Sequence, residues 1–222
     1  MHHFVTDSGV IQIQSLTFNP FAENTFILFD DTKECVIIDP GCTESHEEET
    51  LSAFISNNDL KPTRLINTHC HIDHVLGVKY VAEKYGLGFE FHELDMPVFE
   101  STEMVANMYG MANVKLPVQP TGFLSENDTV KFGDSSLEIL FVPGHAPGHI
   151  AFFNREQKFV IGGDVLFNGS IGRTDLPGGD HDTLISNIKS KFLPLGDDFT
   201  VYSGHGPETN MGFEREHNPF LQ

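Results

Sequence analysis

Basic residues are scarce in this chain: 13 lysines and arginines stand against 32 acidic residues, a formal charge of -19 over 222 residues. Such a surface repels a phosphate backbone and offers no basic stripe, so nucleic acid is excluded as an expected partner. Cysteine is sparse as well. Cys35, Cys42 and Cys70 form no paired framework, so disulfides are not expected and the thiols suit a reducing cell interior. No apolar run approaches the roughly 18 residues that a membrane span requires, and MHHFVTDSGV lacks the basic start and apolar stretch of a signal peptide. A cytoplasmic chain with no membrane partner is the expectation. No glycine-flanked serine elbow marks a nucleophile. With neither low-complexity sequence nor a long linker, residues 1–222 read as one domain, long enough to bury a sizeable core.

What is present alternates between two periodicities. VIQIQSLTF (10–18), NTFILFD (24–30) and CVIID (35–39) are rich in β-branched and aromatic residues and end in turn formers, which predicts an N-terminal meander. HEEETLSAFISNND places Leu51, Phe54 and Ile55 at helical spacing behind glutamates that favour a helix start. RLINT reads as a buried strand. DHVLGVKYVAEKYG, with Val75, Val78, Val81 and Ala82 on one face and Gly86 as a stop, reads as one helix. Further strands are predicted in SLEILFVPG, GHIAFFN, KFVIGGDVLF and FTVYSGHG, and a helix in HDTLISNIKSKFL. The mixed order predicts α/β layers.

Between the RLINT strand and the helix after it lies THCHIDH, residues 68–74, with His69, His71, Asp73 and His74 in six positions. Isolated histidines are usually capped or solvated, and that reading covers His2, His3, His46, His92 and His217. A cluster this dense is metal-ligand chemistry. On an extended segment alternate side chains point the same way, so His69 and His71 can reach one cation while Cys70 points elsewhere, buried and inert. After the chain turns, Asp73 and His74 face a second point a few ångströms away.

Three later strand ends offer matching groups. PGHAPGH supplies His145 directly after a strand, whereas His149 opens the next strand and reads as structural. GGDVLF supplies Asp164, whose two oxygens can bridge two cations. SGHGP supplies His205 between glycines that admit close backbone approach.

THCHIDH, PGHAPGH, GGDVLF and SGHGP, in that order, resemble the metallo-β-lactamase superfamily. The resemblance implies a four-layer αββα sandwich, two mixed sheets face to face with helices outside, and metals along one edge. It implies one cation held by His69, His71 and His145, a second by Asp73, His74 and His205, and Asp164 bridging them. Asp39, in IIDPG, matches a residue that orients ligands without binding metal. NGSIGRTDLPGGDHDTL and HGPETNMGFEREHNPFL further resemble the glyoxalase II-like, or hydroxyacylglutathione hydrolase-like, proteins. Glyoxalase II enzymes end in a helical domain that grips glutathione, whereas this sequence stops at Gln222, soon after His205. A glutamate in place of His71 would mark flavodiiron-type proteins, and a cysteine in place of Asp164 the best-known lactamases. Neither substitution is present.

The expected function is therefore metal-dependent hydrolysis of a small-molecule thioester or related acyl compound by a metal-activated hydroxide. Asp73 orients that nucleophile as well as ligating. Two divalent ions are expected, zinc first, with iron or manganese also compatible with His-rich, Asp-bridged sites. Met96, Met104, Met108 and Met111, with Phe99 and Tyr109, lie between the first two ligand groups and can form either an adaptable apolar flap or ordinary packing. Tyr109 and Arg173 are the candidate substrate contacts, although Arg173 can equally pair with Asp175 to brace its loop. Two other readings stand beside hydrolysis. A persulfide dioxygenase-like enzyme would hold a single iron on His69 or its equivalents, His145 and Asp164, and a non-enzymatic metal-binding module would bind without turnover. The oligomeric state is not legible.

Overall fold

The computed structural model describes residues 9–111 and 114–222. Strands β1 (Gln12–Phe18), β2 (Glu23–Phe29) and β3 (Glu34–Ile38) form the expected antiparallel meander. Helix α1 (Ser45–Asn57) starts on a capping box, in which the Glu47 side chain accepts the Glu44 N–H. It returns the chain to β4 (Lys61–Ile66), parallel to β3.

The single helix expected after the histidine cluster is two. α2 (Ile72–Val75) and α3 (Val78–Tyr85) part at Leu76 and Gly77. The Gly77 N–H donates to the carbonyl of Pro40 at 2.7 Å, and the carbonyl of Asp73 accepts from the Asn19 side chain at 3.0 Å. Tertiary partners have taken both ends of the hydrogen bond that would have joined the two helices. Gly86, at φ 66°, stops α3 as predicted.

The chain continues through β5 (Phe89–Phe91), α4 (Met96–Glu100), α5 (Thr102–Met108) and β6 (Gly122–Phe123), so the methionine-rich segment is helical only in part. The second half contributes β7 (Thr129–Phe132), β8 (Ser135–Phe141), β9 (Ile150–Asn154) and β10 (Phe159–Gly163). KFVIGGDVLF is not one strand: it breaks at Gly163, and β11 (Leu166–Phe167) pairs with β12 (Ser170–Ile171) in a separate hairpin. α6 (His181–Asn187) continues as a π-helical turn over Ile188–Phe192, followed by β13 (Thr200–Ser203), β14 (Thr209–Asn210) and α7 (Met211–His217).

Two mixed sheets result, in the orders β1-β2-β3-β4-β5-β6 and β14-β13-β10-β9-β8-β7. The central strands are apolar on both faces, and that requires cover on both. Phe26, Leu28, Val36 and Ile38 of the first sheet meet Leu137, Ile139, Phe152 and Ile161 of the second between the sheets. The alternate residues Ile27, Ile37 and Cys35 pack outward with Leu51 and Ile55 of α1 and Val78 and Val81 of α3. On the opposite outer face Phe153, Val160 and Val201 pack against Leu184 of α6 and against Ile188 and Phe192. This is the four-layer sandwich. No helix among the described residues is long and apolar enough to cross a membrane.

Candidate metal centre

Strand direction brings the ligand-type residues together. β3 and β4 run parallel, so Asp39 and the 68–74 loop leave the first sheet at one edge. β8 and β10 are each antiparallel to β9, and β13 is parallel to β10, so the loops carrying His145, Asp164 and His205 leave the second sheet at one edge. Backbone bonds then join the two edges, from Ile150 N–H to the Thr68 carbonyl at 2.9 Å and from Asn24 N–H to the Gly204 carbonyl at 2.7 Å. The Asn24 side-chain amide donates to the carbonyls of Ser203 at 3.0 Å and Gly206 at 2.9 Å, clasping the His205 loop from both sides. A Cβ at position 204 would collide with Asp164 Oδ1, which is why that loop needs glycine.

The first group comprises His69, His71 and His145, with one nitrogen of each within 4.8 Å of the others. Neighbouring oxygens set the ring tautomers. His145 Nδ1 faces the carbonyl of Arg173 at 2.8 Å, so it carries the proton and Nε2 the lone pair. His69 Nδ1 lies 3.0 Å from the Thr68 hydroxyl, which itself donates to Asp39; Nδ1 must therefore donate, and Nε2 is again the free nitrogen. These two Nε2 atoms lie 3.2 Å apart, and His71 Nδ1 lies 2.8 Å from that of His145. Burial and the surrounding imidazoles hold His69 well below its ordinary pKa, and burial, then His145, push His71 down to about 3. Both shifts favour neutral imidazoles, and nitrogens of the three rings crowd one point.

The second group comprises Asp73, His74 and His205. His205 Nδ1 donates toward the carbonyls of Phe21 at 3.1 Å and Ala22 at 3.2 Å, and its Nε2 lies 3.0 Å from Asp73 Oδ2. Asp164 reaches both groups. Its Oδ1 is 3.5 Å from His74 Nε2, and its Oδ2 is 3.5 Å from Nε2 of both His145 and His205. Burial alone would raise the Asp164 pKa, but His74 and His145 hold it far below the usual carboxylate range. Burial likewise opposes charge on His74, yet Asp73 and Asp164 hold its pKa well above normal. That surplus of carboxylate is the field a divalent cation neutralises. His74 Nε2 and Asp164 Oδ1 are both buried and have no hydrogen-bond partner, so the donor set suits a cation between them. Asp39 also lies within reach of His69 and His74, but its oxygens are committed to the N–H and hydroxyl of Thr68.

His149 stays out of both groups. Its ring stacks on His69 at 4.8 Å, and its Nε2 accepts the Asp164 N–H at 3.0 Å, fixing the backbone of that residue. Cys70 is buried, and burial with the charge of Asp95 pushes its thiol pKa well up. His46 and His217 are exposed, and His92 stacks on Phe141 at 4.5 Å. His2 and His3 lie outside the described residues. Asn24, Thr68 and Asp95 were not foreseen; each acts on backbone or side chains distant in sequence or hidden beside the motif.

Both groups open into a cavity of about 840 Å³, within the usual range for small-molecule sites. Val98, Met104, Val105 and Tyr109 of the α4–α5 segment line it, with Phe167 and Ile171 of the hairpin. Met96 instead packs, partly buried, against the core, Met111 packs beside Ile72 and Leu76, and Met108 is exposed to solvent. Tyr109 meets Phe21 edge-to-face at 5.2 Å. Arg173 is at the mouth, held bidentately by Asp175 through two bonds of 2.7 Å.

Comparison with known proteins agrees with this geometry. The chain is 40% identical over 212 residues to hydroxyacylglutathione hydrolase GloC of Haemophilus influenzae, covering 95% of this chain and 98% of that protein. It is 37% identical to the probable metallo-hydrolase YqgX of Bacillus subtilis, covering 91% and 93%. Among solved structures it is similar to the BLEG-1 B3 metallo-β-lactamase, with TM-score 0.86, 31% identity and coverage of 95% and 100%. TTHA1623, solved in a di-iron-bound form, gives TM-score 0.83 and 37% identity, covering 94% and 100%. Residues 19–205 match the family description outright, and the chain belongs to the metallo-β-lactamase superfamily.

Proposed function

We propose that this protein is a two-metal hydrolase of small-molecule thioesters of the hydroxyacylglutathione, or glyoxalase II, type. The observation that carries the reading is the set of tautomers: carbonyl, hydroxyl and carboxylate acceptors turn the lone pairs of His69, His145, His74 and His205 toward a pair of adjacent points. His69, His71 and His145 would hold one cation and Asp73, His74 and His205 the other, with Asp164 within reach of both groups. Zinc is the first choice, and iron or manganese fits the same donors. Divalent cations bound there would supply Lewis acidity and make water a better nucleophile at neutral pH.

The chain's own residues do the rest. The free oxygen face of Asp73, depressed in pKa beside His74 and His205, accepts a hydrogen bond from the attacking water and orients it. The apolar wall of Val98, Met104 and Val105 excludes bulk water from the acyl group. Tyr109 and Arg173 contact the far end of the substrate at the mouth, where Arg173 can exchange Asp175 for a substrate carboxylate. The 40% identity to a protein named hydroxyacylglutathione hydrolase supports the thioester choice.

Metal-free protein is to be reloaded, its metals counted per chain, and S-lactoylglutathione assayed beside simpler thioesters and a β-lactam. Two metals with thioester turnover is the expected result. Two metals with β-lactam turnover alone overturns the substrate, and one iron with oxygen uptake on glutathione persulfide overturns the reaction.

A further inference from the structure

One carboxylate outside the seven expected ligands ties two ligand loops together. Asp95 stands immediately before α4 and is fully buried. Its Oδ2 accepts the N–H of Cys70 at 2.5 Å, and its Oδ1 accepts the N–H of Gly148 at 2.9 Å. Cys70 separates His69 from His71. Gly148 follows His145 by three residues and immediately precedes His149, the ring that receives the Asp164 N–H. One rigid group thus sets the spacing between the loop that carries two members of the first group and the loop that carries the third.

The packing around it is close enough to be specific. A Cβ on Gly148 would strike the backbone nitrogen and the side chain of Asp95. Asp95 is itself anchored, since its own N–H donates to the carbonyl of His92 at 2.9 Å and the His92 ring lies on Phe141 at the end of β8. The second group has other supports. Asn67 donates to the carbonyl of His74 at 2.7 Å and, at the longer 3.2 Å, to that of His69, while Asn19 donates to that of Asp73 at 3.0 Å and Asn24 clasps the His205 loop.

We infer that Asp95 is a positioning residue for the first group: it fixes the separation of His69 and His71 from His145, and so sets the affinity of that group for a divalent cation without touching cation or substrate. The inference rests on the proposed ligand roles of those histidines. Ligands are most sensitive to the groups that orient them, and removing such a group typically weakens metal binding about 10–100-fold.

Asp95→Asn has nearly the shape of the original but offers one acceptor to two N–H donors. Metal-free wild type and variant are titrated with zinc against a competing chelator. In cobalt-loaded protein the shifted Nδ1–H protons of His69 and His145 report the first group, and those of His74 and His205 the second. The expected result is a loss of about tenfold or more at the first group, with the second changed less than about threefold. Gly148→Ala, which presses on the same contact from the other loop, should weaken the same group, and the double variant should lose no more than the worse single one. Equal loss at both groups, or none at the first, overturns the role of Asp95. Failure of the wild type to bind metal at the first group instead overturns the ligand reading itself.

Discussion

Oδ2 of Asp39 lies 3.1 Å from Nδ1 of His74, and the contact is kept although Asp39 has a backbone φ of 51°. That left-handed conformation crowds an L side chain, and short polar residues tolerate it best. In return the two carboxylate oxygens collect the Thr68 N–H and hydroxyl, both at 2.6 Å, and the imidazole N–H. Asp39→Asn keeps the backbone tolerance but removes the charge that orients His74. Affinity of the second group for zinc should fall about 10–100-fold while the fold persists. Chelator competition measures this, and an unchanged second affinity would refute the orienting role.

Asp164→Ala removes a carboxylate whose oxygens lie 3.5 Å from ring nitrogens of both groups. Loss of a shared ligand should exceed loss of an orienting partner, so thioester turnover should drop by at least about 100-fold. Metal content should fall below two per chain. Full activity with full metal content would show that the bridging role is wrong.

Stripping the metals should lower the melting temperature. Buried His74 Nε2 and Asp164 Oδ1 have no protein partner, and cation free at about 100 times Kd contributes about 2.7 kcal/mol. For a chain of this size each kcal/mol moves the midpoint by about 2–4 °C, which gives a shift of about 5–10 °C. Calorimetry with and without chelator tests it; coincident curves contradict a metal bound at this site.

Asp95 also gives the metal-free fold a pH dependence. Burial pushes its carboxyl up to about 6, despite the N–H bonds from Gly148 and Cys70. In the unfolded chain the value is about 3.9. The folded state therefore holds the extra proton between those values: its stabilising contribution is complete below about pH 4 and is lost as pH rises through about 6. The swing is on the order of 3 kcal/mol, and Asp95→Asn should abolish it. Urea unfolding of both chelated proteins from pH 4 to 7 provides the comparison. Parallel stability curves would count against it.

Arg173→Ala should leave the fold unchanged within about 0.5 kcal/mol, because its pair with Asp175 is exposed and the His145 contact uses its backbone carbonyl. KM should rise for a thioester carrying a carboxylate and stay constant for an uncharged one, with kcat unaffected in both. A uniform change across the two substrates would remove Arg173 from substrate binding.

Much of this was legible because the decisive pattern is local. An apolar strand running into alternating histidines, and apolar strands ending in GHA, GGD and GHG, place polar residues at strand ends whatever the remainder of the chain does. The same pattern makes His145 the expected ligand over His149, whose Nε2 accepts the Asp164 N–H in the structure. The break between α2 and α3 was not legible, since the acceptor of the Gly77 N–H is the carbonyl of Pro40 and helical periodicity carries no trace of it. Asp95 was invisible for the same reason. Its partners are backbone amides, one of them 53 residues away, and every residue but proline has such an amide.

The amino-acid order alone determined which chemistry was available: imidazoles and carboxylates at the ends of strands apolar enough to demand cover on both faces. Only the tertiary structure decided how that chemistry is aimed. Which ring nitrogen carries the proton depends on carbonyls of Arg173, Phe21 and Ala22 and on the Asp39 carboxylate, all supplied by other segments. Those oxygens become neighbours only when the two sheets pack and their strand ends meet at one edge. Hydrogen-bond direction is a short-range property of groups in contact, and contact between distant segments does not exist until the chain has folded.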